Sequence, residues 1–159
     1  MTPASRGARL THGRALALVL TVLAIFAAVV VPLGFLTGFV AWRPIGAGIW
    51  KTALIVLIAP AFLEELVFRA PLLRWRDLRL ASGLLAAYVA MHPLNAWALA
   101  PELRRWFYDP GFLAVVAALG ACANWLVWRS GRLYPAVLLH WAVVVVWLHL
   151  LGGPLPGRV

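Results

Sequence analysis

Apolar residues fall into five long runs separated by short, arginine-rich interruptions, and none of the runs alternates with the two-residue period of a half-buried strand. The first extends from Ala15 to Trp42 with no charge between Arg14 and Arg43. About 20 apolar residues suffice to cross a bilayer as a helix. A signal peptide has an apolar stretch of only about 7 to 15 residues before its cleavage site, so residues 15–42 are expected to be an uncleaved first spanning helix. The second run, about residues 44–68, holds Lys51 near its start and Glu64 and Glu65 near its end. The third, 80–100, contains His92; the fourth, about 110–128, is charge-free; the fifth, 133–151, contains His140 and His149. Backbone groups in hydrocarbon must be paired within the chain, and the ten-residue alternation of a membrane barrel is missing. The expected fold is therefore all-α, a polytopic membrane helix bundle of about five transmembrane helices. Residues 1–14 form a basic cytoplasmic tail and residues 44–151 a four-helix core.

Composition supports the membrane reading. Of 159 residues 64% are hydrophobic and 12% charged, whereas a soluble domain carries about 25% charged residues. The net charge of +9 comes from 14 basic residues, 13 of them arginines placed between apolar runs. That is the pattern of membrane loops and not of a nucleic-acid face, so no nucleic-acid partner is expected. With the N-terminus cytoplasmic, the inner side collects Arg6, Arg9, Arg14, Arg69, Arg74, Arg76, Arg79, Arg129 and Arg132, nine of the 14. Arg43, Lys51, Arg104, Arg105 and Arg158 lie outside, which favours N-in and C-out in a multi-pass protein of a bacterial inner membrane. Trp42, Trp50, Trp97, Trp106 and Trp128 fall near run ends, as interfacial anchors do. The single Cys122 allows no internal disulfide.

Ionisable residues inside spanning segments are expensive and mark function, at about 2.5 to 3.5 kcal/mol each on insertion scales. In EELVFR, Glu65 and Arg69 are four residues apart and meet on one helix face, while Glu64 points about 100° away and stays available as a proton acceptor. Alone, this pair also reads as a helix end at the interface, with Arg69 snorkelling to head groups. His92 (in YVAMH) and His140 (in LLHWA) each read alone as polar glue between helices. Counted at 1.5 Å per residue, His92 sits about 18 Å deep and His140 about 10 Å deep, so their depths do not coincide. A Glu with two His points either to water activation by a carboxylate or to a zinc site, and the spacing does not decide. HExxH and GxSxG are both absent. Pro60 and Pro93 are candidate kinks beside these groups, and Asn124 is a candidate interhelical hydrogen bond.

Over about residues 50 to 151 the chain resembles the CAAX protease and bacteriocin-processing family of glutamic intramembrane endopeptidases. EExxxR is met by Glu64, Glu65 and Arg69, and an aromatic four residues before histidine by Tyr88 and His92. The third motif, histidine followed four residues later by Asn or a similar polar group, is met by His140 with Val144 in the polar position. The resemblance implies an intramembrane endopeptidase in which Glu64 is the general base acting on water with His92. His140 would then help stabilise the oxyanion, with Glu65 and Arg69 in support. It implies no cofactor and no metal site, zinc being the open alternative. The implied partners are the lipid bilayer and a peptide or protein substrate with a hydrophobic or anchored segment. Val144 removes one expected oxyanion donor, a loss typically worth about 10²- to 10³-fold in rate. Asn124, Asn95 or the indole N–H of Trp141 are the candidate substitutes. Other readings of the same residues are a non-catalytic scaffold or immunity-type protein, a zinc protease and a small transporter.

Overall fold

The computed structural model describes residues 9–45 and 48–154. The cytoplasmic tail expected at 1–14 therefore lies mostly outside the described residues, as do Arg6 and Arg158 of the charge count. Among the described residues every regular element is helical, as the long apolar runs lead one to expect.

Helix α1, His12–Leu36, opens on Thr11, whose hydroxyl accepts from the Arg14 N–H at 3.4 Å. It ends six residues earlier than the apolar run because Thr37 caps it and Gly38 takes φ 73, a left-handed conformation that glycine adopts without strain. The chain then turns back, and the Val40 N–H donates to Gly34 O at 3.1 Å. The second run is not one straight helix. It comprises α2, Ile49–Val56, a π turn at Leu57–Phe62, α3, Leu63–Phe68, and after a break at Arg69 the short α4, Ala70–Arg74. The break lies at Ala59, which is extended (φ −136, ψ 119). Residues preceding proline are pushed out of the helical region, so Pro60 does kink this segment.

Helix α5, Leu78–Ala98, is capped by Asp77, which accepts from the Leu80 N–H at 2.7 Å. It runs through Pro93, the second candidate kink, without a break. A one-turn 3₁₀ helix, Pro101–Leu103, and α6, Arg104–Phe107, lead to α7, Pro110–Ser130. Asp109 caps α7, accepting from Phe112 N–H at 2.9 Å with Pro110 at the first helical position, and Gly131 (φ 66) ends it. Helix α8, Tyr134–Leu150, closes the bundle.

Of the five expected spans, His12–Leu36 and Pro110–Ser130 are the described helices both long and apolar enough to cross a membrane. Residues 49–74 are interrupted, Tyr134–Leu150 is 17 residues long, and α5 is more polar. Helices α1 and α8 run parallel: His12 stacks on Tyr134, and at the far end the Ala41 and Arg43 N–H groups donate to Leu151 O and Leu150 O. Their contact is a core of Val19, Val22 and Phe26 from α1 against Leu139 of α8 and Leu119 and Leu126 of α7. A second core, Leu72, Ala81, Ala123, Val127 and Ala136, joins α4, α5, α7 and α8.

Candidate active site

The Ala59 break separates α2 from the segment that carries the glutamates. Past that break α3 carries Glu64 and Glu65 to His140, 75 residues from Glu65 in sequence. Glu65 is fully buried. Its Oε1 accepts from His140 Nδ1 at 2.9 Å, and its Oε2 lies 3.3 Å from Arg69 Nε. The ion pair expected from the four-residue spacing is therefore present, but Arg69 directs its Nε–H elsewhere, to Asn124 Oδ1 at 3.2 Å. Asn124 in turn donates from Nδ2 to Ala81 O at 3.3 Å, so its interhelical role holds. The Arg69 guanidinium lies over the Tyr88 ring, 4.0 Å from the centroid, a cation–π contact in a buried setting. Snorkelling to head groups is thereby corrected: Arg69 is fully buried because Glu65, Asn124 and Tyr88 surround it.

Glu64 occupies a different environment. Its side chain is 18% exposed against 1% for Glu65, and its Oε2 lies 3.9 Å from His140 Nε2. That distance is too long for a hydrogen bond, and Glu64 Oε2 is buried with no hydrogen-bond partner among the described residues. His140 thus stands between the two carboxylates, tied to one and facing the other.

His92 joins this group through Tyr88. Its Nδ1 lies 3.0 Å from Tyr88 O, a contact that a ring N–H makes with a carbonyl, which leaves Nε2 as the acceptor. The Tyr88 ring meets His92 at 5.2 Å and His140 at 6.1 Å between centroids, both edge-on. Phe107 and Phe112 flank the other side of His92 at 5.3 and 5.6 Å. Glu64, Tyr88, His92, Asn95, His140 and Val144 all line one cavity of about 580 Å³, whose remaining walls are apolar. This falls in the roughly 300–1,000 Å³ range of small-ligand sites.

All five expected site residues are thus brought together: Glu64, Glu65, Arg69 and His140 by direct contact or near approach, and His92 through Tyr88 and the shared cavity. The three substitutes for a polar group at position 144 separate. The Trp141 indole N–H donates to Ala53 O at 2.8 Å, and Asn124 is held by Arg69 and Ala81. Asn95 faces the cavity. Among the described residues no three His, Cys, Asp or Glu side chains form a metal-holding group.

Sequence reasoning missed Gly120 and the contribution of α1. A Cβ on Gly120 would sit 2.6 Å from Arg69 Nη2 and 2.6 Å from Leu85 Cδ1, so the missing side chain is the space the guanidinium occupies. The available signal was a glycine inside an apolar helix, where it costs about 1 kcal/mol against alanine and needs a reason. Leu23, Phe26, Ala27, Val30 and Val31 of α1 line the cavity as well. A family model described as type II CAAX prenyl endopeptidase Rce1-like matches residues 45–146. No curated protein and no solved structure matches the chain.

Proposed function

The chain belongs to the type II CAAX prenyl endopeptidase Rce1-like family, and from this membership and its Glu64 site we propose that it is a glutamic intramembrane endopeptidase. At the coarser level it is a membrane-embedded protease acting on a protein or peptide. The single observation that carries the finer reading is Glu64 Oε2, buried, unpartnered and 3.9 Å from His140 Nε2 at the wall of a cavity shared with His92. An unpaired buried carboxylate oxygen is costly; Glu65 Oε2 is unpartnered as well, but Glu64 is the glutamate of the pair that lines the cavity and so can reach a substrate's water.

In the proposed reaction a water between Glu64 and His92 gives a proton to the Glu64 carboxylate while its oxygen bonds to the scissile carbonyl carbon. His92 Nε2, left as an acceptor by the bond at Nδ1, orients the second water hydrogen. The carbonyl oxygen becomes an oxyanion stabilised from the His140 side of the site, where Glu65 holds the imidazole at Nδ1 and leaves Nε2 facing the cavity. Collapse breaks the C–N bond, and Glu64 returns its proton to the leaving nitrogen, so the enzyme ends as it began. Arg69 balances Glu65, and Asn124 and Tyr88 hold Arg69. No metal or cofactor takes part in this scheme.

The substrate is a membrane-anchored or C-terminal hydrophobic segment. The protein is multi-pass, with about five membrane segments, its N-terminus cytoplasmic, in a bacterial inner membrane. A basic tail at 1–14 and a first span within 15–42 precede a protease core at 44–151. Parallel α1 and α8 suit this topology, because the first and fifth of five alternating segments run the same way.

The test is proteolysis of a panel of anchored and tail peptides by detergent-purified protein, with and without chelator. Glu64→Gln should abolish cleavage while the protein stays folded, and chelator should have no effect. A Gln variant with full activity removes the mechanism. One observation favours a second reading, a non-catalytic scaffold or immunity-type protein: Val144 lines the cavity where the family's motif carries a polar group. A wild-type protein that cuts nothing in a broad panel supports it.

A further inference from the structure

Helix α1 lies outside residues 45–146, the region the family model covers. It nevertheless supplies one wall of the cavity that contains Glu64, His92 and His140. Leu23, Ala27 and Val31 recur every four residues and so form one stripe along the helix. Its other faces do different work. Val19 and Val22 are buried in the core, Phe26 spans core and cavity, and Leu20, Ile25, Val29 and Leu33 are 54 to 67% exposed and suit lipid contact. Ala27 and Val31 are half-buried and belong to none of the apolar cores, so the cavity is what their stripe faces.

We propose that α1 is the specificity wall of this site, its Leu23–Ala27–Val31 stripe setting the size of the apolar side chain a substrate places beside the scissile bond. The proposal rests on the protease reading above and deepens it. Apart from Glu64, Tyr88, His92, Asn95 and His140 the cavity surface is hydrocarbon, and a charged side chain would lose its hydration there without a partner. The accepted residues are therefore uncharged aliphatic or aromatic ones. Ala27 is the position where the wall is thinnest, and a larger residue there takes up volume that a substrate side chain uses. Ala28, adjacent in sequence, is exposed and faces away, which makes it an internal control.

The experiment uses the full chain in detergent and a peptide series carrying Gly, Ala, Leu or Phe at each position flanking the scissile bond. Ala27→Phe should lower kcat/KM for the Leu and Phe peptides by about 10-fold or more, the scale of a mismatched methylene in an apolar pocket. Gly and Ala peptides should stay near the wild-type value. Val31→Ala should favour the Phe peptide, and Ala28→Phe should leave the profile unchanged. A uniform loss across the series, or no change in any variant, overturns the wall. A parallel measurement needs no turnover: alkylation of Ala27→Cys and Ala28→Cys in a Cys122→Ser, Glu64→Gln background, with and without the Phe peptide. Protection at position 27 and none at 28 supports the wall; no protection at 27 overturns it. Wild-type protein that cuts no peptide while position 27 is protected removes the protease reading and leaves the wall as a binding surface.

Discussion

Replacing Gly120 by alanine is a test in which two physical effects have opposite signs. In an ordinary helix interior the change stabilises by about 0.8–1.0 kcal/mol, because glycine gives up more backbone freedom on folding. At this site the new methyl would lie 2.6 Å from Arg69 Nη2, 2.6 Å from Leu85 Cδ1 and 3.0 Å from Tyr88 Cδ1. Optimal carbon contacts are about 3.5–4.0 Å, so the Arg69 and Leu85 side chains must each give by roughly 1 Å. Overpacking a tight interior costs about 1–3 kcal/mol, and pulling Arg69 off Glu65 adds part of the roughly 3–5 kcal/mol penalty of a broken buried pair. The net expectation is a loss of about 1–4 kcal/mol. Gly83 supplies the comparison: it sits within α5, and a methyl added there would meet nothing within 4 Å, so Gly83→Ala should be neutral or stabilising by up to about 1 kcal/mol. Denaturant unfolding of both variants in one micelle type measures the difference. A Gly120→Ala protein as stable as wild type would refute the claim that this glycine makes room for the guanidinium.

Other outcomes follow from the same geometry. Arg69→Lys keeps the charge but cannot reach Asn124 with a fixed Nε–H or stack flat on Tyr88; cleavage rate should fall about 10- to 100-fold, the usual scale for groups that orient active ligands, and an unchanged rate would make Arg69 a counter-charge alone. Val144→Asn puts an amide into the cavity wall and should raise kcat, by up to about the 10²- to 10³-fold that one oxyanion donor is worth; no gain in the steady-state rate would show that position 144 does not face the oxyanion. Trp141→Phe removes the 2.8 Å bond to Ala53 O and should cost about 1 kcal/mol of stability, with the kcat of the folded fraction unchanged. A large loss of kcat in that variant would place the indole in the chemistry.

The helical class and the family were readable from the chain, as were the residues now found around His140, because apolar run length, charge cost and motif spacing are local properties. What was hidden depends on long-range geometry. The contact of Glu65 with His140 crosses 75 residues, and hydropathy does not register the extended Ala59 that interrupts the segment carrying the glutamates. The end of α1 at Leu36 was hidden by an apolar run that continues to Trp42, since hydropathy does not register the left-handed turn at Gly38. The proline signal was ambiguous for a physical reason: Pro60 interrupts its helix and Pro93 does not, and only the surrounding packing decides which.

The fastening of α1 to α8 bears on how the molecule moves. At one end His12 stacks on Tyr134 of α8, while the Leu10 N–H donates to Ser130 O at the end of α7 and Arg132 Nε in the α7–α8 turn donates to Leu10 O; at the other, Ala41 and Arg43 are bonded to Leu151 and Leu150. A helix pinned at both ends to its neighbour travels with it when the bundle breathes. Leu23, Ala27 and Val31 therefore act as marks on a ruler whose zero is His140: thermal motion shifts ruler and zero together, and the measured length survives.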